Sequence, residues 1–552
     1  MKPKRVPSVL GGLVALLGSP ACSLVVDTSV PDSCVVAGDP CGSAGICRAD
    51  RTCDVAPEPS CTTNTECREE QRGDYCVNGA CIPDPITDEC QEIYPANALQ
   101  TEGNKLMLGF IGAIDFALGA EDTSYGRPPL EGVQTALGEI ASGVGIPGVG
   151  SEARRNLSIL TCREDGSDSD PGRPARVARH LVEVAHVPAI IGGSTSGNTL
   201  RIWEEYLRTE STAVLVSPSA TSPAITGYSA RAEDAENRLW RTAPSDELQA
   251  TLLHSLALDV REAIGLPSAR IVSFFKADAA GQGLNRALED DGLGDDFAGN
   301  YEPIQYPESP SVGWQTRFAD LIFDDDAPLP NILIALGTEE FVRDLMPEIE
   351  DRWPEGTPRP WYVLPEGGRN DALTQLDAGH RDRGLSTRVI GTAPGARQSA
   401  YYEAFSGDFE AQFFHPPGNL AEFGYDAVYA LVYAIARTDR TFPSGLQLAV
   451  ALNELACSDS DALILSPSTR DFSTKFRDAA QGECVNLEGA SGPLDFDENG
   501  EAVSDIATWC LRQQGARTSF EPPLQHYYSA SEEKRSGPTL DLTNPNWCAV
   551  SP

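Results

Sequence analysis

The stretch TAVLVSPSATSPAIT, residues 212–226, joins an apolar run to a turn made of small hydroxyl residues and prolines. Residues 214–216 are apolar without interruption, which is typical of a strand that is buried on both faces of a sheet. Ser217 ends the run, and Pro223 follows the turn. A strand that ends in hydroxyls and backbone N–H groups at the start of a helix makes a polar edge on its sheet. The stretch therefore predicts an α/β fold with a ligand-binding edge.

Strands and helices alternate on both sides of this stretch. The strand-like runs along the chain are continuously apolar, whereas a strand with one solvated face alternates apolar and polar residues. Continuous apolar strands that alternate with helices are typical of βαβ units around a parallel sheet. Because the alternation occurs twice, we predict two lobes, each a doubly wound parallel sheet. The other strand-like runs are KLMLGFIGAI (105–114), LSILTCRED (157–165), VPAIIGG (187–193), ARIVSFFKAD (269–278), NILIALG (331–337) and PWYVLPEGG (360–368).

The chain is long and strongly acidic. Its 552 residues exceed what one hydrophobic core organises, which supports more than one domain. A formal net charge of −39 repels nucleic acid and anionic membrane surfaces, so we expect neither as a partner. Solubility explains this acidity, which by itself gives no information about a ligand.

Residues 1–21 have the pattern of an export signal. Basic residues precede an apolar stretch at 9–17, and GSPAC follows at 18–22. The arrangement resembles a bacterial lipoprotein signal in which Cys22 carries the lipid, although Ser19 stands where that motif usually has Leu. The alternative is an ordinary secretory signal that leaves Cys22 unmodified. Both interpretations predict an exported protein, and the first predicts a lipid anchor on a bacterial membrane, in the periplasm or at the cell surface.

Cysteine usage agrees with export. The chain has 15 cysteines, and its first ten lie at positions 22–90. Without the lipidated cysteine an even number remains, which can pair fully in an oxidising compartment. The segment 22–90 is too short and polar to bury a core, so we predict a disulfide-rich stalk. A zinc module is the alternative, but the segment has no histidine, and its closest cysteine pair is a single C-x₄-C at Cys76 and Cys81.

An ordered set of motifs over about residues 105–510 resembles the type I periplasmic binding proteins of the leucine/isoleucine/valine-binding family. The order and spacing of the motifs carry the resemblance, since none of them is specific alone. The cysteine-rich segment lies outside it. The motifs are EDTSYG, IIGGSTSGN, VSPSATSPAIT, LWRTAPSDELQA, AGQGL, EFGYDAVYALVYAI and SGPLDFDENGE.

The resemblance implies a first-lobe site for the carboxylate of an amino acid. Hydroxyls at strand-to-helix junctions satisfy such a group without adding charge, and Ser196 and Thr221 occupy the matching positions. Ser219, Ala220 and Thr221 lie in the turn that would also meet the ligand's ammonium group. The alternative for Thr221 or Ser222 is a plain helix cap.

The resemblance also implies one carboxylate from the second lobe and one aromatic wall. Glu366, in LPEGGRN, stands where the family places the acid that pairs with the ligand's ammonium group, and a solvent-facing loop glutamate is the alternative. Tyr125 matches the aromatic wall, although it is also explained as a packing residue. The chain departs from the family at Ala280, where members that bind branched amino acids carry an aromatic ring. That difference predicts a larger pocket or a less covered ligand side chain.

The inferred fold assigns the chain to four parts. Three crossings would join the lobes, near 242–245, 390–394 and Gly492, and ligand that bridges the lobes would stabilise the closed form. The predicted parts are a lipoprotein signal (1–21), the stalk (22–90), the first lobe (103–242 with 393–490) and the second lobe (243–392 with 491–552).

The predicted function is capture of an amino acid or a similar zwitterion for delivery to an ABC-type permease. The alternatives are a sensory ectodomain of the same fold and a structural surface lipoprotein. We expect no catalysis, no metal and no cofactor, because no nucleophile, metal or phosphate-binding motif is complete. The inferred fold also suggests three disulfides, although six cysteines allow fifteen connectivities. The suggested pairs are Cys90–Cys162, Cys457–Cys484 and Cys510–Cys548.

Overall fold

A computed structural model describes most of the chain from residue 59 to residue 548, and three short backbone segments before it. The predicted signal, Cys22 and the pair Cys457–Cys484 lie outside the described residues. Within 59–548 the gaps are 119–124, 144, 150–153, 165–169, 231–235, 324–326, 396–398, 439, 456–462, 466–484, 495, 516, 522–525 and 538.

Strands occur along the whole described chain. They are β1 (Pro40–Cys41), β2 (Gly45–Cys47), β3 (Cys53–Val55), β4 (Tyr75–Val77), β5 (Ala80–Ile82), β6 (Cys90–Tyr94), β7 (Lys105–Gly112), β8 (Asn156–Arg163), β9 (Ala189–Gly192), β10 (Val214–Ser217), β11 (Leu239–Arg241), β12 (Ile271–Lys276), β13 (Tyr301–Tyr306), β14 (Ile332–Leu336), β15 (Trp361–Leu364), β16 (Val389–Pro394), β17 (Leu463–Leu465), β18 (Val485–Leu487), β19 (Ile506–Gln514), β20 (Arg517–Glu521), β21 (Tyr527–Ser529) and β22 (Lys534–Ser536).

Helices connect most of these strands. They are α1 (Asn64–Glu69), α2 (Arg127–Gly143), α3 (Arg173–Glu183), α4 (Ser196–Ile202), α5 (Arg208–Glu210), α6 (Pro223–Ala230), α7 (Asp246–Ala263), α8 (Ala279–Asp290), α9 (Leu293–Asp296), α10 (Trp314–Ile322), α11 (Met346–Arg352), α12 (Asp371–Gly379), α13 (Ala400–Phe413), α14 (Ala421–Arg437) and α15 (Gly445–Leu455). A π-helical segment (Trp203–Leu207) makes α4 and α5 continuous, and another (Phe341–Leu345) leads into α11.

The first lobe is built on a six-stranded sheet in the order β11-β10-β9-β7-β8-β6. All neighbours are parallel except β6, which runs antiparallel along β8. Helices α2 and α14 pack together over one face, and a Cβ built on Gly132 would lie 1.8 Å from the Ala421 carbonyl oxygen. Only glycine allows this close backbone approach, which brings α14 from the second half of the chain into the first core.

The second lobe is built on the sheet β13-β12-β14-β15-β16-β19-β21-β22, with β20 also paired to β19. Strands β12 to β16 are parallel, and β19 returns antiparallel along β16. The structure therefore confirms two doubly wound α/β lobes. The sheets also include strand β11, with the sequence LWR, and edge strand β13 in a run with little apolar character, YEPIQY.

Three chain crossings join the lobes. Two lie where the sequence predicts them, between β11 and α7 and after β16. The third lies at about 503–505 instead of near Gly492, because Leu494, Phe496 and Ala502 still pack into the first core. At this crossing the Gly395 N–H donates to the Asp505 carbonyl oxygen at 2.9 Å, so two of the connections are bonded to each other.

Residues 59–90 of the cysteine-rich segment form a small disulfide module that is docked on the first lobe. Disulfide Cys67–Cys81 ties α1 to β5, and Cys61–Cys76 ties the residues before α1 to β4. Val77 and Ile82 are buried in a core that they share with the first lobe, so this part is not a free stalk. The module meets the sheet at the amino end of β7, where the Met107 N–H donates to Asn78 Oδ1 at 2.9 Å and Lys105 Nζ donates to Asn64 Oδ1 at 2.5 Å.

Two of the three suggested later disulfides lie within the described residues, and both are present. Cys90–Cys162 ties edge strand β6 to β8, and Cys510–Cys548 ties β19 to the end of the described chain. None of the described helices combines the length and the apolar character that a bilayer span requires.

Candidate ligand-binding site

A cleft lies between the carboxyl edges of the two sheets. Loops that follow β9 and β10 line it from the first lobe, and loops that follow β12, β14 and β15 line it from the second. The cavity between its walls has a volume of about 40 Å³, so the two lobes lie close together around it. The lining residues are Tyr125, Ser194, Thr195, Ser196, Ser219, Thr221, Asp246, Asp278, Ala280, Gly281, Leu284, Leu336, Gly337, Thr338, Pro365, Glu366 and Gly367.

The loop after β9 is folded tightly against the start of α4. Gly193 has φ +80°, and a Cβ there would lie 2.2 Å from Thr199 Oγ1, so only glycine fits without strain. Thr195 caps α4, since its Oγ1 accepts a hydrogen bond from the Asn198 N–H at 3.2 Å. Ser196 is buried, and its Oγ accepts from the Ser222 N–H at 3.1 Å, which locks this loop to the loop after β10.

The loop after β10 turns around Ser217, whose Oγ accepts from the Ala220 N–H at 3.1 Å. Ser219 lines the cleft and is 5% exposed, and its hydroxyl has no hydrogen-bond partner, so it is available to a ligand. Ala220 is fully buried and does not line the cleft; its carbonyl faces Arg241 Nη1 at 3.4 Å.

Ser222, and not Thr221, serves the helix that follows this loop. Ser222 Oγ accepts from the Ala224 N–H at 3.3 Å in the first turn of α6 and donates to the Ala279 carbonyl oxygen of the second lobe at 2.8 Å. Thr221 instead lines the cleft, and its carbonyl oxygen accepts from the Asp246 N–H. The simple capping explanation therefore applies to Ser222 alone.

Glu366 enters the cleft from a turn directly after β15. Gln249 Nε2 donates to Glu366 Oε2 at 2.5 Å, and the same amide group contacts Thr392 Oγ1 at 3.1 Å, which fixes the carboxylate on α7 and β16. Removal from water raises the pKa of Glu366, because burial disfavours the charged form. A cationic partner would restore that charge.

Asp246 is a site residue that the sequence reading missed. It is the first residue of α7 and is 2% exposed, and its N–H donates to the Thr221 carbonyl oxygen at 2.8 Å. Asp246 Oδ1 has no hydrogen-bond partner. Burial, followed by the nearby Glu366, raises the pKa of Asp246 well above its ordinary value. An acid directly after the helix cap Ser245 is common, because it interacts favourably with the helix dipole. This local explanation hid the role of Asp246 in the cleft.

Tyr125 and Ala280 line the cleft from opposite lobes, as the resemblance implies. Burial, together with the carboxylates of Glu366 and Asp246, raises the pKa of the Tyr125 hydroxyl well above its ordinary value. Near Ala280, Asp278 caps α8 by accepting from the Gly281 N–H at 2.8 Å. This side of the cleft is therefore acidic and has no aromatic ring among the described lining residues.

Glu164 supports the first-lobe loops from behind. It is 2% exposed, and its Oε1 accepts from the Ser194 N–H at 2.8 Å. Burial raises its pKa to about 7, against opposing hydrogen bonds from Asn198 and Ser194. An acid at the end of the predicted strand LSILTCRED was visible in the sequence, but its position behind a glycine loop was not.

Comparison with known proteins places this geometry in a fold family. No family model and no curated protein sequence matches the chain. The leucine-binding protein LivK of Thermotoga maritima matches in structure with a TM-score of 0.54 and 17% identity, over 75% of this chain and 97% of LivK. LivJ of Streptococcus pneumoniae, solved with isoleucine, matches with a TM-score of 0.51 and 16% identity, over 76% of this chain and 100% of LivJ.

The chain has the type I periplasmic binding protein fold. A third structure with this fold is an ABC transporter solute-binding protein of Rhodopseudomonas palustris HaA2, in complex with p-hydroxybenzoic acid. It matches with a TM-score of 0.55 and 12% identity, over 77% of this chain and 97% of its own. Proteins with the type I binding protein fold thus hold both amino acids and aromatic acids, so the ligand of this chain must be inferred from its own cleft.

Proposed function

We propose that the protein is an extracytoplasmic solute-binding protein that captures a small ligand bearing an ammonium and a carboxylate group. The observation that carries this proposal is the pairing of walls in one cleft. Ser196, Ser219 and Thr221 come from the first lobe, and Glu366 comes from the second. Neutral donors suit a carboxylate, and a desolvated acid suits an ammonium group.

Hinge closure would join the two half-sites. Contacts between the lobes already surround the cleft: Arg201 Nη2 lies 3.3 Å from Glu308 Oε1, and the Ser222 hydroxyl reaches Ala279. Ligand that contacts both walls binds the closed form better than the open form, and only this difference shifts the equilibrium. We also propose delivery to a membrane permease, and this step rests on analogy with other proteins of the same fold.

The proposed location is the outside of a bacterial membrane, with Cys22 as a lipid anchor. Labelling of expressing cells with a radioactive fatty acid should mark the protein and should not mark a Cys22→Ala variant. Label that persists in the variant would contradict the anchor, while leaving ligand capture unaffected.

Isothermal titration calorimetry of the full chain against pooled amino acids tests the capture step. A Glu366→Gln variant should lose at least 100-fold in affinity, because a neutral amide leaves the ammonium group without its charged partner. Glu339→Gln is the matched control, since Glu339 is an exposed second-lobe acid paired with Arg343. Equal affinity in Glu366→Gln and wild type would remove Glu366 from the site, and absence of binding by every amino acid would contradict the proposed ligand class.

A further inference from the structure

The charges around the cleft are unevenly distributed. Among the described lining residues, the carboxylic acids are Asp246, Asp278 and Glu366, and none is Lys or Arg. All three acids belong to the second lobe. A zwitterion brings no net charge to this wall, so its binding would leave the excess of carboxylates unbalanced.

The nearest basic side chains are already engaged. Lys276 Nζ lies 3.7 Å from Asp278 Oδ2 and 3.5 Å from Glu340 Oε1, so two acids share its single charge. Arg241 is fully buried, with Nη2 2.7 Å from Glu501 Oε2 and Nη1 donating to the Ser222 carbonyl oxygen at 3.0 Å. Lys276 therefore offsets part of the charge of Asp278, but neither basic side chain is part of the lining of the cleft.

One carboxylate oxygen in the cleft is left without a donor. Asp246 Oδ1 is buried and unpartnered, and Glu366 Oε2 accepts a hydrogen bond from the neutral amide of Gln249. Asp246 also lies within electrostatic reach of both Glu366 and Asp278. A buried acid with an open acceptor position, between two other acids, is complementary to a cationic group.

The second-lobe lining beside these acids is small or aliphatic. Ala280, Gly281 and Leu336 leave this side of the cleft lined by small or aliphatic groups, and Asp278 stands at its edge. An aliphatic chain is chemically compatible with such a lining when the lobes open, and a terminal ammonium group is complementary to the acid at its edge.

We propose that the ligand carries two positive charges: one group pairs with Glu366, and the second lies against Asp246 and Asp278. An amino acid with a basic side chain is the first candidate. This inference rests on the proposed function, because it takes the same cleft as the capture site. It narrows the ligand class from zwitterions in general to compounds with two amino groups.

Calorimetry with three probes at pH 7 separates the possibilities. L-Lysine carries both amino groups and a carboxylate, L-norleucine has the same carbon skeleton without the side-chain amine, and cadaverine lacks the carboxylate. We expect L-lysine to bind at least tenfold more tightly than L-norleucine. Norleucine binding that equals or exceeds lysine binding overturns the second positive charge and leaves amino acid capture intact.

Cadaverine tests the other end of the ligand. Binding weaker than that of L-lysine agrees with carboxylate recognition by the first lobe. Cadaverine binding that equals or exceeds lysine binding supports two positive charges and contradicts the carboxylate half of the proposed function. Absence of binding by both diamino probes overturns the inference, and the amino acid pool then decides the proposed function separately.

Two charge-removing variants locate the second group. Asp246→Asn and Asp278→Asn keep side-chain size and their acceptor oxygens, and asparagine also caps helices well. Each should reduce the lysine-to-norleucine affinity ratio at least fivefold, whereas Glu339→Gln should leave it unchanged. A merely structural role would weaken both ligands equally, so a ratio that stays constant in both variants overturns the assignment. Melting curves confirm that each variant is folded.

Discussion

The two walls of the cleft differ in chemistry. The first-lobe wall is neutral, and its hydroxyls and backbone groups bond to one another, as Ser196 does to the Ser222 N–H. The second-lobe wall is acidic and poorly satisfied, with Asp246 Oδ1 unpartnered. A preformed neutral wall facing a charged one suits a ligand with two unlike ends, and neither lobe offers the complete site alone.

Neutralising the acidic wall should have the largest effect on ligand affinity. A double variant, Asp246→Asn with Glu366→Gln, should lose roughly 1,000-fold in affinity, about 4 kcal/mol at 1.4 kcal/mol per factor of ten. Because the two acids are electrostatically coupled, the two single losses should not add up to the double loss. Calorimetry on the four proteins of this cycle measures the coupling. Strict additivity would contradict the electrostatic coupling between the two acids.

The buried acid Glu164 lies behind the neutral wall, and its ionisation should make the stability of the fold depend on pH. The folded chain keeps the Glu164 proton up to about pH 7, whereas an unfolded glutamate loses it near 4.5. The folded state therefore binds more protons between these values, and stability from this group falls as pH rises through them. Glu164→Gln should reduce the loss of stability between pH 5 and pH 8 by about 2 kcal/mol.

Denaturant unfolding at pH 5, 6, 7 and 8 checks this expectation. Glu139 also has its pKa raised to about 7 by burial, far from the cleft, and Glu139→Gln serves as the matched variant. It should flatten the pH profile similarly but leave ligand affinity unchanged. If stability fell more steeply with pH in Glu164→Gln than in wild type, the direction assigned to the contribution of Glu164 would be wrong.

Removing a single hydroxyl from the neutral wall should have a moderate effect. Thr221→Val keeps the shape but removes one hydroxyl from the lining of the cleft, so affinity should fall about tenfold, near 1.4 kcal/mol. Thr251→Val, on the exposed side of α7, is the control, because its hydroxyl contacts Asp291 outside the cleft. Calorimetry that finds Thr221→Val equal to wild type would mean that this hydroxyl serves only the loop.

The smallest expected effect on ligand affinity comes from an ion pair at the rim of the cleft, between the two walls. Arg201 and Glu308 form an ion pair across the lobes, and both side chains are about one-third exposed. Such pairs contribute about 0.2–1 kcal/mol, so Arg201→Gln should weaken binding roughly two- to threefold at low salt. The difference should vanish in 0.5 M NaCl because of screening. A larger or salt-independent loss would indicate a direct role in the site.

The sequence predicted the first-lobe wall better than the second. Small hydroxyls after an apolar strand have few roles, and Ser196, Ser219 and Thr221 all line the cleft. Asp246 was missed because an acid in the first turn of a helix has a sufficient local explanation in the helix dipole. Its burial depends on β15 and its following turn, more than 100 residues away, and no local pattern records that contact.

In the fold as well, local sequence patterns predicted some elements, whereas others depend on contacts with distant residues. Apolar runs predicted the central strands, but β11 and β13 are short or polar edge strands whose pairing partners decide their conformation. The third crossing was placed too early because Phe496 packs edge-on against Trp240, 5.1 Å between ring centroids, and holds the chain in the first lobe for longer.

Under the proposed location at a membrane, the disulfide module would determine which lobe moves relative to that membrane. It is bonded to the amino edge of the first sheet, opposite the cleft, through Asn78 and Lys105. Any attachment of the preceding segment would therefore hold the first lobe stationary. Opening and closing would then appear as a swing of the second lobe, so the acidic wall would travel to a ligand that waits on a fixed neutral one.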